Sequence, residues 1–67
     1  MSHIYKTVEI VGSSTRGVDD AMREAVSKAS KTLHNLQWIE VTNVRGHIEN
    51  GQIAHFQVTM KIGFRLE

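Results

Sequence analysis

The clearest pattern in the chain is an alternation of apolar and polar residues near its end. In the segment from Ile53 to Leu66, every second residue from Ala54 onward is apolar, and the residues between are polar or glycine. A period of two places the apolar residues on one face of a β-strand. The apolar set is Ala54, Phe56, Val58, Met60, Ile62, Phe64 and Leu66. The pattern predicts a strand with one face on a core and a polar face turned the other way.

Two more strands and one helix are predicted upstream. β-branched residues dominate His3 to Val11 and Trp38 to Ile48, which favours a strand in each segment. From Gly17 to Asn35, apolar residues recur at steps of three and four, which is typical of a helix with one buried face. The pair Asn50-Gly51 separates the last two strands and is a strong signal for a hairpin turn.

This order of elements predicts an α+β fold of the type β1-α-β2-β3, in a single domain that spans residues 1–67. The hairpin makes the second and third strands antiparallel. If the third strand lies in the middle, every neighbouring pair is antiparallel. We therefore expect a three-stranded antiparallel sheet in the order 1-3-2.

The size of the chain predicts that it works as an oligomer. A domain of 67 residues usually gains stability from disulfides, a metal or oligomerisation, and the sequence contains no cysteine. A straight last strand would reach roughly 46 Å, against a diameter of about 28 Å for a globule of this length. That strand must bend around the helix or project into neighbouring subunits. The sheet also leaves one face and two edges open.

The hairpin turn predicts how the last two strands pair. With Asn50 and Gly51 in the turn, Glu49 faces Gln52, and the other pairs are counted outward from there. The resulting pairs are Val44 with Gln57, Thr42 with Thr59, and Trp38 with Gly63. The face away from the helix then holds Trp38, Val44, Gln57, Thr59 and Arg65. Arg45 falls on the opposite face unless a bulge intervenes.

Four side chains suggest ligand binding, each with an ordinary alternative. Trp38, the only tryptophan, is either buried in a subunit interface or a stacking platform for a flat ligand. Gln57 either reads the edge of a heteroaromatic ring or is a solvated strand residue. Arg45 and Arg65 either bind a phosphate, because guanidinium makes bidentate contacts with anions, or form surface salt bridges.

Composition argues against nucleic-acid and membrane partners. The formal net charge is +1, with both signs spread along the chain, whereas nucleic-acid binders usually carry a basic patch. No apolar run approaches the roughly 20 residues of a membrane span. The residues from Met1 to Lys6 lack the apolar region of a signal peptide. We expect a soluble cytoplasmic protein.

The sequence also offers no motif for catalysis or metal binding. It has no nucleophile elbow, and Gly12 to Gly17 lacks the lysine and the spacing of a phosphate loop. His3, His34, His47 and His55 are on different predicted segments, and His47 and His55 fall on opposite faces in the predicted register. We expect neither an active site nor a metal site within one subunit.

A resemblance to a known family rests on Trp38, the Arg45-Gly46 pair and the run from Phe56 to Val58. With the segments VEIVGSS, KTLHNLQWIEV, VRGHI and HFQVTMKIGFRLE, the chain resembles the bacterial dodecins over nearly its whole length. The resemblance implies a hollow homododecamer of tetrahedral symmetry, with each sheet partly wrapped around its helix. It also implies that flavins bind as stacked pairs at subunit interfaces.

The resemblance assigns roles to the candidate residues. Trp38 would stack on the isoalloxazine ring, and Gln57 would hydrogen-bond the ring edge. Arg45 and Arg65 would meet the ribityl-phosphate end, and Arg45 would place the chain with the FMN-binding members, with riboflavin or FAD as the alternative flavins. Val44 is the fifth candidate for a flavin contact. Coenzyme A is a further ligand of some bacterial dodecins, and no residue is assigned to it here.

The function expected from this resemblance is flavin storage and sequestration without catalysis. Two rings held between two indoles leave no open ring face for a substrate, and a stacked indole quenches the excited flavin. Two alternatives stay open. One is a flavoenzyme subunit that uses His55 as a proton donor. The other is a structural or interaction module in which Trp38 only seals an interface.

Overall fold

The computed structural model describes residues 2–66 and has the predicted order of elements. Strand β1 spans Tyr5–Ser14, helix α1 spans Val18–Ala29, strand β2 spans Leu36–Glu49 and strand β3 spans Gln52–Arg65. Strand β3 lies between β1 and β2 and is antiparallel to both. The predicted α+β fold and the strand order 1-3-2 are confirmed.

The apolar face of β3 forms the core against α1, as the alternation predicts. Val58, Met60 and Ile62 are fully buried together with Ala21 of α1. The apolar side chains packed around this core are Ile10, Val18, Met22, Ala25 and Ile39. A helix of 12 residues is about 18 Å long. It is much shorter than β3, so the sheet beyond it stays uncovered.

Strand β1 extends past its predicted end at Val11, because α1 packs very closely on it. Residues Gly12, Ser13 and Ser14 pair with β3 instead of turning away. A Cβ atom at position 12 would lie 2.5 Å from the carbonyl oxygen of Ala21, too close for any side chain. Glycine at this position therefore lets the strand continue beneath the helix.

Ser14 fixes the connection between β1 and α1. Its Oγ accepts a hydrogen bond from the backbone N–H of Arg16 at 2.9 Å and donates one to Asp20 Oδ2 at 2.7 Å. Arg16 also forms an ion pair with Asp20 at 3.2 Å. These contacts make the segment a structural turn that leads into the helix, whose N-cap residue Gly17 has no side-chain capping bond.

Helix α1 ends at Ala29, earlier than the predicted end at Asn35. The hydroxyl of Ser30 and the N–H groups of Lys31 and Thr32 each donate to a carbonyl three residues back. Such bonds tighten the last turn of a helix, and serine and threonine hydroxyls compete for backbone carbonyls. The backbone then turns at Asn35, which has a φ of 61°, and β2 begins.

Three bulges change the predicted pairing of β2 with β3. The residues without a partner are Gln37 and Thr42 of β2 and Ala54 of β3. Ala54 shifts the pairing by one residue, and Thr42 shifts it back. The pairs between these two bulges are Asn43–Thr59, Val44–Val58, Arg45–Gln57, Gly46–Phe56 and His47–His55.

The predicted pairs of Val44 with Gln57 and of Thr42 with Thr59 are therefore wrong. The pair of Trp38 with Gly63 is confirmed, because the shift at Ala54 has been reversed before that point. The sequence does not reveal the first bulge, since Ala54 fits the apolar alternation of β3 as well as a paired residue would.

The subunit is a long, thin body rather than a globule. It measures 54 × 20 × 13 Å, because the β2–β3 hairpin extends well past α1. The helix side of this extension exposes Val41, Val44, Ile48 and Ile53, with exposed fractions between 39% and 68%. The last strand therefore projects from the body, and it carries apolar surface with it.

Candidate flavin-binding face

Four of the predicted site residues lie on the sheet face opposite α1, called the outer face below. Trp38 pairs with Gly63, and Arg45 pairs with Gln57. Positions 57, 63 and 65 of β3 alternate with the buried core positions, so Arg65 lies on the outer face as well. The bulge at Ala54 thus brings Arg45 to the face from which the predicted register excluded it.

Val44 is the exception among the predicted site residues. It pairs with the buried Val58 and lies on the helix side of the sheet. Its predicted position on the outer face is wrong, because the register shifts at Ala54. The side chain is 51% exposed, since α1 does not reach this part of the hairpin.

The indole of Trp38 rests on Gly63. A methyl group at position 63 would overlap Cε2 and Cζ2 of the indole, so only glycine leaves room for the ring. The ring of Tyr5 meets the indole edge to face, with centroids 5.2 Å apart and planes at 62°. Trp38 is nevertheless 42% exposed. The indole is held from two sides and still offers a flat surface to a planar ligand.

Arg45 is held in place by its neighbour Asn43. The Nε of Arg45 donates to Asn43 Oδ1 at 3.2 Å, and both side chains lie on the outer face. Within residues 2–66, the guanidinium makes no ion pair with a carboxylate. Its terminal nitrogens are thus available to an anionic ligand.

The outer-face candidates form two groups that are far apart in one subunit. Gly63, beneath Trp38, and Gln57 are six residues apart on β3. At strand spacing this is about 20 Å. Arg65 belongs to the Trp38 group and Arg45 to the Gln57 group. A single flavin ring cannot touch both groups of the same chain.

Acidic and basic side chains alternate across the outer face between these groups. Glu9 of β1 and Glu40 of β2 are both register partners of Lys61 on β3. Opposite charges on adjacent strands favour their pairing, although within residues 2–66 Lys61 forms no close ion pair with either glutamate.

His47 and His55 lie on the same face, so their predicted placement on opposite faces is wrong. They are cross-strand partners on the outer face, because the bulge at Ala54 shifts the register. Their rings stack with centroids 5.0 Å apart and planes at 18°. Residues 2–66 contain no group of three or more side chains that could hold a metal ion.

Sequence reasoning missed two contributors to this face. Asn43 is two residues before Arg45 on β2, a spacing that places both on one face and could have been noticed. The role of Tyr5 could not be predicted from the sequence, because its contact with Trp38 depends on how β1 pairs with β3. Among the described residues, no helix is long and apolar enough to cross a membrane.

Comparison with known proteins decides the family. A family model described as Dodecin matches residues 4–67. The chain belongs to the dodecin family. A dodecin of Thermus thermophilus is 43% identical over 67 residues, which is all of this chain and 97% of that protein. Dodecins are small non-enzymatic proteins that bind flavins or related ligands, and dodecin homologues are oligomeric.

Solved dodecin structures have the same fold. Dodecin from Streptomyces davaonensis is 57% identical with a TM-score of 0.94, and the match covers 100% of this chain and 98% of that one. A calcium dodecin from Mycobacterium tuberculosis, described as calcium chelating, matches with a TM-score of 0.83, covering 96% of this chain and 91% of that one. Its identity of 19% shows the shared fold alone.

Proposed function

We propose that this dodecin stores flavin, as a homododecamer that holds pairs of FMN molecules between Trp38 side chains at subunit interfaces. The observation that carries the proposal is the exposed indole of Trp38, fixed between Gly63 and Tyr5. Its orientation is set before a ligand arrives, so little ordering entropy is lost when a flat ring stacks on it.

The separation of the two residue groups supports a site shared between subunits. About 20 Å of strand lies between Trp38 and Gln57. A ring stacked on Trp38 therefore needs the Gln57 of another copy to hydrogen-bond its edge. The long hairpin and its exposed apolar side chains favour the assembly that this requires.

The position of Arg45 supports FMN as the preferred flavin. Arg45 is the cross-strand partner of Gln57, so one subunit presents the amide for the ring edge and the cation for the phosphate. Arg65 lies at the Trp38 end and is the second candidate for the phosphate. Riboflavin lacks the phosphate, and FAD would have to place an adenosine beyond it. Coenzyme A has no assigned residues here.

Storage, rather than catalysis, follows from the stacked arrangement. Two flavins between two indoles have no free ring face, and each excited flavin is quenched by the adjacent indole. The bound cofactor is then dark and protected from photochemistry. Val44 could take part only from a neighbouring subunit, because its side chain lies on the helix side. The cytoplasmic location expected from the sequence is part of this proposal.

The test is a titration of FMN with ligand-free protein, followed by flavin fluorescence, with particle mass measured by light scattering. We expect quenching that saturates at one flavin per subunit in a dodecameric particle. Trp38→Ala should lose the quenching, and Tyr5→Phe, which keeps the ring beside the indole, should retain it.

Two outcomes would replace the proposal. A small particle without quenching would leave a structural or interaction module. Photoreduced bound flavin that turns over an added electron acceptor would make the protein a flavoenzyme subunit.

A further inference from the structure

The hairpin carries a pair of histidines that the flavin site does not use. His47 on β2 and His55 on β3 are direct cross-strand partners on the outer face. They meet because Ala54 is left unpaired, which moves His55 one position along its partner strand. Without this bulge, the two imidazoles would lie on opposite faces of the sheet.

Both imidazoles are available to a ligand. His47 is exposed and His55 is half-buried, and their ring centroids are 5.0 Å apart. Within the described residues, neither ring makes a side-chain hydrogen bond or an ion pair. The nitrogens of both rings therefore have no competing protein partner in residues 2–66.

Neutral imidazole is a preferred ligand of zinc, copper and nickel. Metal–nitrogen bonds of about 2.0–2.1 Å place two nitrogens of one ion roughly 3 Å apart. Two histidines directly opposite on antiparallel strands have Cβ atoms about 4.5–5.5 Å apart. The second side-chain torsion of histidine is soft, so the exposed His47 ring can turn a nitrogen toward the ring of His55.

We infer that His47 and His55 form a two-histidine site for one divalent transition-metal ion per subunit. No third histidine or carboxylate of residues 2–66 joins them, so solvent fills the other coordination positions. The inference goes beyond flavin storage and does not depend on it, because neither histidine is assigned a flavin contact in the proposal.

The test uses flavin-free protein and Cu2+ or Zn2+ alone. Every protein carries His3→Gln, so that a histidine near the amino terminus cannot supply a competing copper site. Cu2+ binding is measured by calorimetry, and the number of bound imidazoles is read from the nitrogen couplings in pulsed electron paramagnetic resonance. His47→Gln and His55→Gln are compared with His34→Gln, which changes an exposed histidine outside the pair.

We expect the parent and His34→Gln proteins to bind one Cu2+ per subunit through two imidazoles. His47→Gln and His55→Gln should each bind about tenfold more weakly or worse, a loss of at least about 1.4 kcal/mol, through one imidazole. Equal affinity in all variants, or a two-imidazole signal that survives His47→Gln, would overturn the inference and leave a packed cross-strand pair.

A second measurement needs no substitution in the pair itself. Titration of the His3→Gln protein with Zn2+ should shift the ring resonances of His47 and His55 together in the nuclear magnetic resonance spectrum, and leave those of His34 in place. Common behaviour of all three histidines would contradict a specific site. FMN quenching is measured separately, so failure of the metal site and failure of flavin storage are distinguishable.

Discussion

At the scale of single residues, the position of the Trp38 indole depends on a residue that has no side chain. The ring occupies the space above Gly63 that a Cβ atom would need. Tyr5 limits the movement of the indole from the side. The stacking surface therefore depends on Trp38, Gly63 and Tyr5 together. Of these three, only Trp38 would touch the flavin.

Gly63→Ala should displace the indole and weaken FMN binding. Aromatic stacking is worth about 1–3 kcal/mol per ring, so we expect a loss of about 5- to 150-fold in affinity. The measurement is the FMN fluorescence titration, with near-ultraviolet circular dichroism to follow the indole. The matched control is Gly46→Ala, a strand glycine whose added Cβ would lie 3.4 Å from Ile53. Unchanged FMN affinity and dichroism in Gly63→Ala would contradict this account.

Arg45→Ala should weaken the binding of FMN more than that of riboflavin. Hydrogen bonds to charged groups are worth about 1.5–3 kcal/mol, which corresponds to about 10- to 150-fold in FMN affinity. Asn43→Ala should produce a smaller loss in the same direction, because Asn43 only positions the guanidinium. Titrations with both flavins measure the difference. An equal loss for the two flavins would remove the phosphate role from Arg45.

The sequence was sufficient for some of these residues and not for others. The pairing of Trp38 with Gly63 follows from the turn at Asn50-Gly51, and it survives because two bulges cancel. The face of Arg45 could not be predicted, since Ala54 obeys the alternation and still takes no partner. A single unpaired residue in one strand changes which residues of the partner strand share its face. The alternation of apolar and polar residues does not show where such a bulge lies.

At the scale of elements, the period of two in β3 was the most informative signal, because one face of that strand packs on the helix. The helix end was harder to predict, since apolar spacing continues to Leu33 and Leu36. Local hydrogen bonds of Ser30 and Thr32 end the helix before that spacing does. The extra length of β1 depended on a tertiary contact, the approach of α1 at Gly12.

Gly12→Ala should destabilise the packing of α1 on β1. The new Cβ would lie 2.5 Å from the backbone carbonyl oxygen of Ala21, which cannot move without the helix. Overpacking of this kind costs about 1–3 kcal/mol. Denaturant unfolding measures the loss, and Gly46→Ala is the control because its added Cβ would lie at an ordinary contact distance of 3.4 Å from the Ile53 side chain. Equal stability of the two variants would show that α1 tolerates a wider spacing.

At the scale of the whole molecule, the shape of the chain and the geometry of the proposed site both require partner subunits. A body of 54 × 20 × 13 Å cannot enclose a ligand, and its hairpin exposes Val44, Ile48 and Ile53 to solvent. The sequence predicted the need for partners from strand length and open sheet faces. It could not show which surface is used, because that depends on where α1 stops covering the sheet.

Val44→Asp should therefore remove assembly and flavin binding together. In the isolated subunit the side chain is 51% exposed, so the fold should tolerate the carboxylate. In an interface the same unpaired charge would cost about 3–5 kcal/mol for each copy. Light scattering should show a smaller particle, and FMN should no longer be quenched, because Trp38 and Gln57 of one chain are about 20 Å apart. Gln52→Glu, a charge change at the exposed hairpin turn, should leave both properties intact. A Val44→Asp particle that is small but still quenches FMN would mean that one subunit holds the whole site.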